Sequence, residues 1–261
     1  MDSLNLAWFD LTLSSLELAY ALGIVFIAGV VRGLAGFGFS ALCFFALAPV
    51  LSAQVIVPLM FVMEMLASLH LLPKVWRHIP WLWVMILCTG IMLGTPLGVF
   101  ALQYWQPDLV RGLAGSGVLM ASFALWREWQ FKAAQSLALL VIVGFVAGFL
   151  NGLASIGGLV VAVYMMSSNM PITAMRAGLI LFFLLTDAYG LSWFHGQGLV
   201  SPSLPSLLLV MVPAMLVGSQ IGASLFNRID MMVMRKLTLG LLASLATIAL
   251  FSALFSALTE M

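Results

Sequence analysis

Long apolar segments fill most of this chain, and short polar connections separate them. The segments fall at about 17–31, 39–51, 54–72, 81–102, 109–126, 136–150, 159–169, 172–194, 204–226 and 237–258. Each is continuous rather than alternating, which indicates membrane helices and excludes the strands of a transmembrane barrel. Four of them, 17–31, 39–51, 136–150 and 159–169, fall short of the ~20 residues that a spanning helix needs.

The composition agrees with a membrane location. Of the 261 residues, 64% are hydrophobic and only 7% are charged, whereas a soluble domain carries about 25% charged residues. We therefore predict a polytopic helical protein whose first partner is the lipid bilayer. The net charge of +1 gives no indication of a nucleic-acid partner.

The short segments form two pairs, and the pairs resemble each other. The stretch "AGVVRGLAGFG" (28–38) aligns without gaps with "AGFLNGLASIG" (147–157), at an offset of 119 residues. Further on, "LGTPLG" (93–98) resembles "VGSQIG" (217–222). These matches predict an internal duplication, with a first transmembrane repeat at 1–130 and a second at 131–261.

Basic residues in the connections predict which side of the membrane each connection faces. They fall at three places, which are Lys74 and Arg77, then Arg127 and Lys132, and then Arg228, Arg235 and Lys236. The positive-inside rule makes these places cytoplasmic. The connections at 103–108 and 195–203 contain no Lys or Arg, and we expect them outside together with both termini.

This assignment makes each short pair begin and end on the same side, so each pair is a hairpin. Each half is then one broken helical hairpin plus three transmembrane helices, and the second half is inverted relative to the first. The predicted fold is thus an all-α polytopic membrane protein built from two inverted-topology repeats. Inverted repeats with interrupted helices are typical of transporters whose site lies at the interruptions.

The hairpin tips carry the candidate substrate residues. Glycine permits close approach of the backbone, and the second arm of each hairpin begins with free N–H groups that favour an anion. An arginine near the membrane centre needs a partner, and a bound anion would supply one. The predicted substrate-binding residues of the tips are Arg32, Gly33, Gly36, Phe37 and Gly38 on the first, and Asn151, Gly152, Ser155, Gly157 and Gly158 on the second.

Structural alternatives stand beside these assignments. Glycines in membrane helices are most often packing contacts, and Arg32 could pair internally with Glu64 instead of with a substrate. Glu64 and Asp187 are ionisable residues inside apolar segments, so each is a candidate proton carrier or gate, or else half of a structural ion pair. Arg176 would be the partner of Asp187 in such a pair. His70 is a further candidate for proton transfer or gating.

Two signature segments resemble those of a known family. The stretches "GVVRGLAGFGFSALCFFALAP" and "GFLNGLASIGGLVVAVYMMSS", the second followed by "RAGLILFF", are similar to the TauE/SafE sulfite exporter family, also called TSUP. The resemblance implies an inner-membrane transporter of small sulfur-containing anions such as sulfite, sulfoacetate or another organosulfonate. It implies no metal and no organic cofactor, and it adds Arg176 as a substrate-binding candidate.

Together these observations predict export of such an anion by alternating access. The alternatives are an anion channel, a proton-coupled uptake permease and a non-transporting assembly factor. An intramembrane enzyme is disfavoured, because the chain has no nucleophile elbow and no His-Glu-x-x-His motif. The sequence leaves open whether the protein is a monomer or a homodimer.

Overall fold

The structure, a computed structural model, describes residues 13–127, 136–168 and 170–225, together with 240, 243–244, 246–247 and 250. Within these ranges it consists of α-helices and connections. The helices are α1 (Ser15–Ala35), α2 (Phe39–Ala46), α3 (Ala53–Val75), α4 (Trp81–Tyr104), α5 (Pro107–Trp126), α6 (Leu137–Ala154), α7 (Gly157–Ser167), α8 (Ile172–Gly196) and α9 (Leu204–Leu225), with a short 3-10 turn at Trp76–His78 before α4. Lys132, Arg228, Arg235, Lys236 and both termini lie outside the described residues.

Seven of the described helices are long and apolar enough to cross a bilayer, namely α1, α3, α4, α5, α6, α8 and α9. This confirms the prediction of an all-helical, multi-pass membrane protein. The remaining two helices, α2 with 8 residues and α7 with 11, are too short to cross. They are the second arms of the two predicted hairpins.

The first arms of the hairpins are longer than predicted. We expected short apolar arms at 17–31 and 136–150, but α1 has 21 residues and α6 has 18, or about 31 and 27 Å of helix. The stretches "RGLA" (32–35) and "NGLA" (151–154), expected in the tips, form the last turn of each arm. They stay helical because their glycines pack closely on neighbouring helices.

Local signals fix both ends of α1. At its start, the Ser14 side chain accepts a hydrogen bond from the Glu17 amide (3.3 Å), and the Glu17 carboxylate accepts one from the Ser14 amide (2.8 Å). This reciprocal capping satisfies two amides that the first turn would leave unpaired. At its end, Gly36 adopts the left-handed conformation (φ 80°), which glycine enters without a steric penalty.

Glycine faces join each half of the chain to the other. A Cβ on Gly29 of α1 would lie 2.7 Å from the Met215 carbonyl oxygen of α9, and one on Gly148 of α6 would lie 2.9 Å from the Ile91 carbonyl oxygen of α4. Gly29 and Gly148 are 119 residues apart in sequence, and Ile91 and Met215 are 124 apart. The two crossings are therefore equivalent, as a duplication requires.

Helices α3 and α8, which correspond to each other at the same offset, pack against each other in opposite directions. Early in α3, Phe61 packs edge-on against Phe194 near the end of α8, with 5.8 Å between ring centroids. Late in α3, Leu72 packs into a cluster that contains Ala177 and Leu181, near the start of α8. Equivalent helices that run antiparallel support the proposed inversion of the two halves.

The inversion has a direct test in reporter fusions placed after Trp105 and after Gln197. We expect both reporters on the outer side, because both connections lack Lys and Arg although they lie in different halves. Alkaline phosphatase fusions, active only outside, would be compared with a fluorescent protein that matures only inside. Opposite sides for the two positions would contradict the inverted arrangement.

Candidate functional site

The two hairpin tips share the same turn. The Gly36 amide donates to the Arg32 carbonyl oxygen (2.8 Å), and the Ser155 amide donates to the Asn151 carbonyl oxygen (2.7 Å). Both Gly36 and Ser155 have positive φ, and Ser155 is the one non-glycine residue with this conformation in the described part of the chain. A left-handed serine is an uncommon backbone state that the surroundings must hold in place.

On the first tip, Arg32 is enclosed by polar and aromatic partners. Its guanidinium group forms an ion pair with Glu64 of α3 and donates from Nη2 to the Ser68 hydroxyl (3.1 Å). The Ser40 hydroxyl donates to the other oxygen of the Glu64 carboxylate (2.7 Å). The guanidinium carbon lies 4.9 Å from the centre of the Phe183 ring, a cation–π distance.

On the second tip, Asn151 occupies the position of Arg32. Its amide nitrogen donates to the Asp187 carboxylate of α8 (2.8 Å), and its amide oxygen accepts from the Gly157 N–H at the start of α7 (3.3 Å). Asp187 and Ser68 are again 119 residues apart. The Asn151–Asp187 contact is therefore the counterpart of the Arg32–Ser68 contact.

The two groups of contacts lie close enough for Arg32 and Asp187 to interact electrostatically, so together they form one buried polar region. We call it the tip cluster, and its members are Arg32, Ser40, Glu64, Ser68, Asn151 and Asp187, none of which is more than 3% exposed. Glu64 is the middle residue of the 23-residue helix α3, about 17 Å from either end. The charges of the cluster are therefore removed from water, and each needs partners to offset its lost hydration.

Several polar atoms at the tips are buried without a hydrogen-bond partner within the described residues. They are the Arg32 Nε, the Ser155 hydroxyl and one oxygen of Asp187. The N-terminus of α2, at Gly38, receives no hydrogen bond from a capping side chain, so its amides add a positive partial charge beside the tip. The arginine edge, the hydroxyl and the helix amides are donors that suit an oxyanion, whereas the Asp187 oxygen is an acceptor that would take a hydrogen bond from a donor.

Comparison with known proteins agrees with this geometry. A family model described as the sulfite exporter TauE/SafE matches residues 21–250, which include both hairpin tips and the whole tip cluster. The chain belongs to the TauE/SafE sulfite exporter family. No curated protein and no solved structure matches it.

Membership of the TauE/SafE family establishes the general activity. The protein is a membrane transporter of exporter type and not an enzyme, and its family implies a small anionic substrate. The described residues contain no group of three His, Cys, Asp or Glu side chains that could hold a metal ion. The inner-membrane location, the outward termini and a homodimer stay predictions.

Within this TauE/SafE protein, several predicted tip residues make helix contacts. A Cβ on Gly33 would meet the α9 backbone, one on Gly152 the α4 backbone, and one on Gly157 the Ala147 carbonyl. A Cβ on Gly158 would overlap the Phe183 ring. These are the packing roles weighed as the alternative, and any direct role of these glycines in substrate binding stays a prediction.

The remaining predicted residues lie at different distances from the cluster. Phe37 and Gly38 are buried at the first tip, and the Arg176 side chain reaches that tip, with its Cγ 3.7 Å from where a Cβ on Gly36 would lie. His70 is exposed and lies six residues beyond Glu64 on α3. The structure thus brings Arg32, Glu64, Asn151 and Asp187 together and leaves His70 at the edge.

Sequence reasoning did not assign roles to Ser40, Ser68 and Phe183. Ser68 carried a usable signal, because it stands 119 residues before Asp187, whose ionisable side chain marked that position. Ser40 and Phe183 carried none, since a serine and a phenylalanine are ordinary in a membrane helix. Their contacts depend on which helices meet the tip, and apolar periodicity does not specify that.

Proposed function

We propose that this TauE/SafE protein exports a small sulfur-containing oxyanion, such as sulfite, sulfoacetate or another organosulfonate, by alternating access. The observation that supports this proposal is the meeting of both hairpin tips at one buried polar cluster halfway along α3. A site at that depth can be exposed to either side when the two halves rock against each other.

In the proposed cycle the substrate shares Arg32 with Glu64. The ion pair with Glu64 holds the arginine while no anion is present, so the empty protein does not bury an uncompensated charge. An arriving oxyanion would accept hydrogen bonds from the free Nε edge of the guanidinium and from the Ser155 hydroxyl. Arg176 would add a second cation beside the first tip.

Export is the direction that membrane electrostatics favours. With a potential of 100 mV, inside negative, each negative charge that leaves the cell releases about 2.3 kcal/mol. Exit of an anion therefore needs no coupling ion. Uptake against this potential would need a coupling ion, and proton transfer by Glu64, Asp187 or His70 stays a prediction for that case.

Anion binding by purified protein tests the proposal. We expect sulfite or an organosulfonate to raise the unfolding temperature of the wild type, because a ligand at 100 times its Kd stabilises the fold by about 2.7 kcal/mol. Arg32→Gln combined with Glu64→Gln should abolish that rise, since it removes the guanidinium without leaving a buried carboxylate unpaired. Arg176→Gln should reduce the rise.

Acetate, a carboxylate anion without the sulfur oxyanion, serves as the control ligand. Efflux of the same anion from loaded vesicles, with and without the double variant, provides the second readout. An unchanged thermal shift and unchanged efflux in a folded double variant would show that the tip cluster is not the site.

A further inference from the structure

A cavity of about 280 Å³ opens between α3 and α9, on the side where α3 ends. His70 and Leu71 line one wall, and Leu216 and Gln220 line the other. His70 and Gln220 are exposed. Placing polar side chains such as these in contact with lipid costs free energy. Their presence on two facing membrane helices is therefore typical of a water-filled passage.

The lining of this cavity includes close neighbours of the tip cluster. Ala67 and Ser219 also line the cavity, and Ala67 directly precedes Ser68, whose hydroxyl accepts the hydrogen bond from Arg32. On the opposite wall, the Ser219 carbonyl packs against Gly33, the residue that follows Arg32. A solute in the cavity could therefore contact Ala67, which precedes Ser68, and Ser219, which packs against the residue next to Arg32.

The equivalent place in the other half carries a hydrogen bond instead. At the offset of 119, His70 corresponds to Tyr189, and at the offset of 124, Leu216 corresponds to Met92. The Tyr189 hydroxyl reaches from α8 to α4 and donates to the Met92 carbonyl oxygen (3.0 Å). Where α3 and α9 are separated by the cavity, their counterparts α8 and α4 are tied together.

We propose that the cavity at His70 and Gln220 is the route by which the anion enters, and that the Tyr189–Met92 hydrogen bond is a latch that closes the equivalent exit route. The structure then represents the state open to the side where α3 ends, which basic residues predict to be cytoplasmic. This inference rests on the proposed transport function, and it assigns to Tyr189 the control of the opposite side. In an exporter the latch opens after the anion has reached the tip cluster.

Cysteine accessibility tests the two routes without any substrate, so its failure is distinguishable from failure of the proposed function. The background carries Cys43→Ala and Cys88→Ala, which replace the two native cysteines. Ser219→Cys probes the open route, and Thr95→Cys probes the equivalent position on the latched side. A membrane-impermeant maleimide is added to vesicles of either orientation, and the labelling rate is measured from each side.

We expect Ser219→Cys to react quickly from the side of the α3 end and Thr95→Cys to react slowly from the opposite side. Tyr189→Phe removes only the latch hydroxyl and should accelerate labelling of Thr95→Cys about three- to tenfold. This factor is the shift in the equilibrium between the closed and open latch that the loss of one hydrogen bond would cause. The same substitution should not accelerate labelling of Ser219→Cys.

A second variant keeps the test decisive if Tyr189→Phe does not fold. His70→Tyr places a latch residue in the open route and should slow labelling of Ser219→Cys. Leu69→Cys, 52% exposed and not part of the cavity lining, is the control that the impermeant reagent should not reach. Equal labelling rates at Ser219→Cys and Thr95→Cys would overturn the proposal. Labelling rates that neither Tyr189→Phe nor His70→Tyr changes would also overturn it.

Discussion

Arg32→Ala is expected to lower the free energy of unfolding by about 3–5 kcal/mol, because it leaves the Glu64 carboxylate buried without its cation. Glu64 is fully buried, and Ser40 supplies its other described hydrogen bond. Unfolding of the purified protein in detergent, followed by intrinsic tryptophan fluorescence, would measure the change.

The matched control is Arg32→Gln combined with Glu64→Gln. Neutralising both partners removes the unpaired charge, so we expect the double variant to recover most of the stability that either single substitution loses. If the losses of the single substitutions simply add in the double variant, Arg32 and Glu64 are not energetically coupled. The same double variant then serves the binding experiment in a folded protein.

Gly33→Ala is expected to cost about 1–3 kcal/mol of stability, because the added methyl group has no room where α1 crosses α9. Its Cβ would lie 2.7 Å from the Ala223 nitrogen and 3.0 Å from the Gly222 carbonyl carbon. These neighbours are backbone atoms, which cannot rotate away as a side chain can. The two helices would have to separate, and thermal unfolding of the variant would record the loss.

Gly23→Ala provides the comparison within the same helix. A Cβ on Gly23 meets nothing within 4 Å, so this substitution should cause no loss, and alanine is the better helix former. A similar loss from both substitutions would mean that the α1–α9 contact does not depend on close backbone approach.

Much of the architecture was predictable because the local composition of the sequence determines it. Continuous apolar segments identified the spanning helices, and the aligned stretches around Arg32 and Asn151 located both tips. The lengths of α1 and α6 were wrong in the prediction, since glycines were taken as the start of a loop. Gly33 and Gly152 remain helical because α9 and α4 pack against them, and a sequence window does not contain those partners.

The site was predictable in its principal residues but not in their pairing. Arg32, Glu64, Asn151 and Asp187 were singled out because polar groups inside apolar segments are costly and need a reason. The sequence offered Arg32 two partners, a substrate and Glu64, and the structure shows the ion pair with Glu64. Tyr189 gave no signal, because a tyrosine near a helix end is ordinary at a membrane interface.

The first arm of each hairpin packs against a helix of the other half, and this arrangement affects the order in which the protein assembles. The main partner of α1 is α9, and that of α6 is α4. The ribosome completes α1 first, yet α9 follows only after most of the chain has been made, whereas α6 finds α4 already inserted. Until the second half is inserted, the first hairpin therefore stays in the bilayer without its packing partner. Lipid or an insertion chaperone must cover its glycine face during that time.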